Sequence, residues 1–264
     1  MAADDQDNYF PLKAVGDKVG KNVLNLGGNK LPMEDEEGKE KIKRMAEIGR
    51  LNHSELEDLR IIYPGMRQPK MLNVFRELRT KLYKLNTNNE NFVLLISAIV
   101  PGGGSSFVTL NLGAAIALDE SKTAIVVDCN VYEPGLHRIL PVDPEYGLVD
   151  YLENVTIDAE DVIYSTGIRR MRIVPAGNRR EPGTEFFTSS RMRRFVDELR
   201  ARYRDRYVII DAPPISTSAD VRILAELCDF VILVVPFGKV TQAQVQSSID
   251  AIGANKLAGV IFNN

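Results

Sequence analysis

A chain of 264 residues with 44% hydrophobic content is long enough for one α/β domain of roughly 150–200 residues and an extension. Its formal net charge of −3 supplies no global basic field, which argues against nucleic acid as a partner. The longest apolar stretches, FVLLISAIV and FVILVVPF, fall well short of the ~20 residues that cross a bilayer, so no membrane span is expected. The amino terminus MAADDQDNYFPLK also lacks the pattern of a secretory signal.

In chain order, residues 1–45 are polar, include the charge run MEDEEGKEKIKRM, and are expected to form a disordered arm, because they bury too little apolar surface to offset ordering entropy. Residues 46–90 read as a helical extension: Leu72, Phe75, Leu78, Leu82 and Leu85 recur at the three-to-four spacing of an amphipathic helix. From residue 91 to 264, strand-like runs alternate with helical ones. FVLLISAI is followed by a helix from Ser106 to Leu118, TAIVVD by one near GLVDYLEN, and MRIVPAG by one from about Ser189 to Tyr203. YVIID is followed by a helix from about Ala219 to Leu227, DFVILVVP by one from about Thr241 to Ile252, and LAGVIFN closes the series. Apolar strands without polar alternation belong in a sheet covered on both faces, so the expected fold is α/β, a doubly wound and mostly parallel sheet. Cys129 and Cys228 sit in apolar runs and read as small core residues, in keeping with a reducing cytoplasm. The Arg-rich run RMRRFVDELRARYRDR is interleaved with Asp197, Glu198 and Asp205 and reads as a solvated helix face.

Three strand ends carry the chemistry, since open parallel sheets bind ligands at their carboxyl ends. The first is VPGGGSSFVTLNLGAA, a strand–glycine loop–helix passage in which Gly102, Gly103, Gly104, Ser105 and Ser106 are candidate phosphate-binding residues. The second is IVVDCNVYEPGLH, where Asp128 closes a buried strand, and the third is YVIIDAPP, closed by Asp211. A phosphate-binding P-loop carries Gly-Lys-Ser/Thr where this chain has Gly104-Ser105-Ser106.

With NVFRELRTKL, PGGGSSFVTLNLGAAIAL, TAIVVDCNVYEPGLH and YVIIDAPP, the chain resembles the bacterial tyrosine kinases (BY-kinases) of exopolysaccharide and capsule synthesis, P-loop NTPases of the MinD/ParA-like superfamily. VPAGNRREPGTEFFTSSRMRRFVDELRARYRDRYVIIDAPP resembles in particular the exosortase-associated branch. The resemblance implies a site for ATP or ADP and Mg²⁺, with Ser106, Asp128 and Asp211 as metal ligands and Asp128 and Asp211 as catalytic acids. Asn263 stands where related ATPases place an adenine-contacting Asn. The family's oligomerisation motif, Glu-x-x-Arg-x-x-Arg, leaves Arg76 and Arg79 as interface residues, with Asn73 in the place of Glu.

Several departures accompany the match. Ser105 stands where the family has the phosphate-binding Lys, Asn130 where it has a second acid and Tyr132 where it has an Arg. The last tyrosine is Tyr207, so the sequence holds no tyrosine-rich tail. Lys122 precedes a strand at its far end and is not expected to replace the missing cation. The resemblance and its departures together imply a degenerate, cytoplasmic BY-kinase-like protein in exopolysaccharide biosynthesis. It would act as a regulatory partner of a membrane polysaccharide co-polymerase (Wzz-like), recruited to the inner face of the plasma membrane and able to form homo-oligomers. An active protein-tyrosine autokinase, with an acceptor such as Tyr9, and a partitioning-type ATPase are the alternatives.

Overall fold

The computed structural model describes residues 51–86, 91–177 and 185–264, so the expected polar arm over 1–45, with Tyr9, lies outside the described residues. Seven strands form one sheet: β1 (Val93–Ala98), β2 (Thr123–Asp128), β3 (Tyr164–Ser165), β4 (Met171–Val174), β5 (Arg206–Ala212), β6 (Phe230–Pro236) and β7 (Leu257–Asn263). Their order is β3-β4-β2-β5-β1-β6-β7. All pairings are parallel except that of β3 with β4. Of these strands, the two-residue β3 escaped the sequence reading, being too short to carry a periodicity.

The strands are apolar throughout because both faces are covered. On one face Leu94, Ile96, Ala124, Val126 and Ile209 pack with α1 (His53–Asp58), α2 (Pro69–Leu85) and α3 (Ser105–Ala117). On the other, Val93, Leu95, Ile125, Val127 and Val208 pack with α4 (Leu148–Glu153), α5 (Glu185–Thr188), α6 (Ser190–Ala201) and α7 (Asp220–Glu226). The last helix, α8 (Gln242–Ile252), connects β6 to β7. The expected helix over Ser189–Tyr203 is α6, with Ser189 as its cap: the hydroxyl accepts from the Met192 N–H at 3.1 Å. The Arg-rich run is only partly a solvated face, since Arg206, which opens β5, is just 3% exposed. Both cysteines are buried and free.

In α2, Leu72, Phe75, Leu78 and Leu82 are buried as the spacing predicts, but Leu85 at the helix end is exposed. The segment before β1 shares an apolar cluster with it: Leu56, Ile61, Ile62 and Phe75 join Leu94, Leu112 and Ile116. Asn111, buried in the middle of α3, ties the two together. Its Oδ1 accepts from the Ile62 N–H at 2.9 Å, and its Nδ2 donates to the Arg60 carbonyl at 3.1 Å and the Phe107 carbonyl at 2.9 Å. No helix among the described residues is long and apolar enough to cross a membrane.

Asn111→Ala strands a buried N–H and a partly buried C=O and is expected to cost on the order of 2 kcal/mol in urea unfolding. An unchanged unfolding midpoint would show that the amide does not bind the extension to the sheet.

Candidate phosphate-binding site

β1 lies between β5 and β6, and its carboxyl end opens into the glycine loop. Gly102 and Gly104 have φ of +67° and +87°, the left-handed region that glycine enters without strain. Gly103 is required for a different reason: a Cβ there would lie 2.6 Å from the Ala98 Cβ and 2.9 Å from the Val100 carbonyl oxygen. α3 then begins at Ser105, one residue earlier than expected, with Gly104 as an N-cap that provides no side-chain acceptor. The first intrahelical bond runs from Val108 N–H to Gly104 C=O at 3.1 Å, so the amides of Ser105, Ser106 and Phe107 precede the helical ladder. Free amides at the positive end of a helix suit a phosphate group.

Asp211 sits beside this loop, its Cα paired in register with that of Ile96 on one side and Asp128 on the other. It is fully buried, and the opening of α3 supplies its partners. The Ser106 hydroxyl donates at 2.5 Å and the Thr109 hydroxyl at 3.3 Å. Burial raises the Asp211 pKa, the charge of Asp128 raises it further, and the hydroxyls act in the opposite sense.

Asp128 is likewise fully buried, but both of its oxygens are committed to the loop that follows β2. Oδ1 accepts from the Asn130 N–H at 3.1 Å, and Oδ2 from the N–H groups of Gly135 and Leu136 at 3.2 and 3.1 Å. Burial raises its pKa and these three amides lower it. Asn130 Oδ1 accepts from the Glu133 N–H at 3.4 Å. The Tyr132 hydroxyl donates to Asp220 Oδ2 at 2.8 Å.

The structure therefore brings Gly102–Ser106, Asp211 and Asn263 together and sets Asp128 on the adjoining strand. Asn263 is bound to the loop itself: its Nδ2 donates to the Gly103 carbonyl at 3.1 Å, and a Cβ on Gly104 would run into its amide. In this arrangement the amide clasps the loop instead of facing outward to a base. Arg76 and Arg79 lie elsewhere, on α2, and their fates differ. Arg76 is exposed, whereas Arg79 Nη1 donates to the Ala115 carbonyl of α3 at 2.7 Å. Lys122, at the opposite pole, lies 5.8 Å from the centroid of the Tyr207 ring.

The sequence reading missed Thr109 and Asp220. Thr109 follows Ser106 by three residues, one helical turn, and that spacing could have marked it. Asp220 is fully buried and also accepts from the Ser218 hydroxyl at 2.8 Å. The segment STSAD resembles an ordinary helix start, which concealed it.

Among the described residues no three His, Cys, Asp or Glu side chains are arranged to hold a metal ion. Ser106 and Asp211 nonetheless offer a hydroxyl and a carboxylate, a pair that suits Mg²⁺ when phosphate oxygens and water complete the octahedron.

No model of a known protein family matches the chain. EpsB of Ralstonia nicotianae is 30% identical over 190 residues, 71% of this chain and 25% of that protein. The chain thus spans about a quarter of the length of the first curated relatives it matches. The tyrosine-protein kinase YwqD of Bacillus subtilis is 26% identical over 203 residues, covering 75% of this chain and 84% of that one. Among solved structures, the kinase domain of the Escherichia coli tyrosine kinase ETK matches with a TM-score of 0.71 at 23% identity, over 89% of this chain and 87% of that one.

The two buried carboxyls fix the sign of the pH dependence. Each holds its proton to higher pH in the folded chain than in the unfolded one, so their contribution is complete below about pH 4 and declines as the pH rises. Asp211→Asn is expected to flatten that decline and to raise the melting temperature near neutral pH by ~5 °C in scanning calorimetry. A variant that parallels the wild type at every pH would contradict the protonation assigned to Asp211.

Proposed function

Because the chain belongs to the bacterial tyrosine-kinase (BY-kinase) family, we propose that it is a member whose site binds nucleotide phosphate weakly and does not transfer it. In this reading it serves exopolysaccharide production from the cytoplasm, as a regulatory partner of a membrane polysaccharide co-polymerase. The observation that carries the proposal is Ser105. It is 8% exposed, places a neutral hydroxyl at the first residue of α3, and stands at the position of the family's phosphate-binding Lys.

The chain's own groups divide the work as follows. The amides of Ser105, Ser106 and Phe107, at the positive end of α3, would hold phosphate oxygens. Ser106 and Asp211 would hold Mg²⁺, which when bound supplies charge to a departing or arriving phosphoryl oxygen. Asp128 fixes the loop after β2 through three amides, which keeps that loop beside the site. Charge developing on a transferring phosphoryl group needs a preorganised cation, and losing one such electrostatic donor costs on the order of 10²–10³ in rate. Neutral Asn130 and Tyr132 in place of an acid and a cation reduce the site's charge further. Tyr207 is 5% exposed and stacked on Tyr83 with ring centroids 5.0 Å apart, so it is withheld from modification.

Incubation of the purified protein with radiolabelled ATP and Mg²⁺ is expected to yield no phosphotyrosine above background. Deletion of the gene should still lower polysaccharide output, and the wild-type and Ser105→Ala genes should restore it equally. Strong phosphotyrosine on the unmodified protein would promote the active-autokinase reading. Normal polysaccharide output in the deletion strain would remove the pathway assignment.

A further inference from the structure

The free amides that follow the glycine loop belong to the first residues of α3, so the direction in which they point depends on how the whole helix is seated. Ten of its 13 residues are buried, and it runs ~20 Å from the loop toward the opposite pole of the sheet. At the loop end, Ser106 and Thr109 tie it to Asp211. The far end needs partners of another kind, because the carbonyls of a last turn lie beyond the helical ladder and α3 has no basic residue of its own there.

Every carbonyl of that turn is nonetheless satisfied. The Ala114 carbonyl accepts from the Leu118 N–H at 3.0 Å, and the Ile116 carbonyl from the Asp119 N–H at 3.0 Å. The two that alternate with them go to arginines from other elements. The Ala115 carbonyl accepts from Arg79 Nη1 at 2.7 Å, and the Ala117 carbonyl from Arg170 Nε at 3.0 Å. Arg79 comes from α2 and Arg170 from the turn between β3 and β4, so two separate elements hold this end of the helix.

Arg170 is 8% exposed and has φ of +63°, the left-handed region that a residue with a side chain rarely enters. Such a conformation persists where the surroundings fix it, and here they do. The Arg170 carbonyl accepts from the Ala124 N–H of β2 at 2.9 Å, and the next residue, Met171, lies directly against α3. A Cβ on Gly113 would stand 3.1 Å from Met171 Cε and 3.0 Å from Val126 Cγ2, so the helix rides close on the sheet at that point. The strained turn therefore supports α3 with one residue and grips its end with the residue before. Arg79 turns inward to meet it, with its guanidinium 6.0 Å from the centroid of the Tyr83 ring.

We propose that Arg79 and Arg170 are positioning residues for the phosphate loop, which fix the carboxyl end of α3 and, through the helix, the direction of the Ser105, Ser106 and Phe107 amides. The inference rests on the reading of those amides as a phosphate site. Leverage makes the distant clamp effective: a tilt of about 3° over a ~20 Å helix moves its other end by about 1 Å. A displacement of that size is large against the tolerance of a hydrogen bond, whose donor–acceptor distances span only about 0.5 Å. Arg79 in this role is committed within its own protomer, in contrast to the exposed Arg76 one turn before it.

The test follows the amide signals of Ser105, Ser106 and Phe107 by NMR in the full chain, first alone and then as inorganic phosphate is added. Arg79→Gln and Arg170→Gly should each move the ligand-free signals and raise the half-saturation concentration about tenfold. Arg79→Lys, which keeps a donor for the Ala115 carbonyl, should recover most of both effects, and Lys84→Gln, exposed on the same helix, should show neither. Arg170→Gly separates positioning from stability, because glycine relieves the left-handed strain while the grip on Ala117 is lost. Its melting temperature should stay near that of the wild type while its phosphate affinity falls, and it keeps the test decisive if Arg79→Gln unfolds. If the wild-type signals ignore phosphate, the phosphate reading fails, and the ligand-free signals still decide the clamp. Ligand-free signals at their wild-type positions in both variants, or a phosphate affinity that merely follows melting temperature across the series, would overturn the proposal.

Discussion

The Asp211 carboxylate is fully buried at the carboxyl end of β5, and hydroxyls from the first turn and a half of α3 surround it. That arrangement fixes three things at once. It sets the pitch of α3 against the sheet, it orients the glycine loop that leads into the helix, and it determines where a metal or a phosphate would have to enter. A buried acid raised above its ordinary pKa is costly unless hydrogen bonds offset the lost hydration, and here they come from the residues that would carry the chemistry. Ser105 opens the same helix, and in the reading proposed above its short neutral side chain stands where the family carries a long cation.

The loop after β2 is held by contacts of its own. Tyr132 reaches Asp220 with a neutral hydroxyl, Asn130 turns its amide to its own loop, and Asp128 is bonded to three backbone amides. Each of these contacts holds structure, and none adds a charge that phosphoryl transfer would use. The clasp of Asn263 on Gly103 completes the pattern by joining the last strand to the loop. In the proposed reading, the site keeps the geometry of a phosphate loop and lacks much of the charge that transfer requires.

Much of this was readable before any coordinates. Uniform apolar runs such as FVLLISAI and TAIVVD could only be doubly covered strands, and the glycine loop with Asp128 and Asp211 at strand ends located the site. The two-residue β3 was invisible because no period can be read from it. The clasp by Asn263 was also hidden, because it joins residues 160 apart in sequence through a backbone carbonyl that no motif encodes. Arg206 shows the limit from the other side. In RMRRFVDELRARYRDR it looks like one more surface cation, yet strand pairing with Thr123 places it in the interior. Composition gives the average environment of a charged run, and only the register of the sheet shows which member of it is buried.

Calorimetric titration of Mg-ATP into the wild type and into Ser105→Lys, with turnover measured on the same samples, addresses the central claim most directly. Restoring the cation should strengthen binding by tenfold or more and leave turnover near background, because phosphate binding returns before the rest of the transfer machinery does. Tight binding with measurable turnover in the wild type, or equal affinity in the two proteins, would contradict the account of a phosphate site that has lost its transfer chemistry.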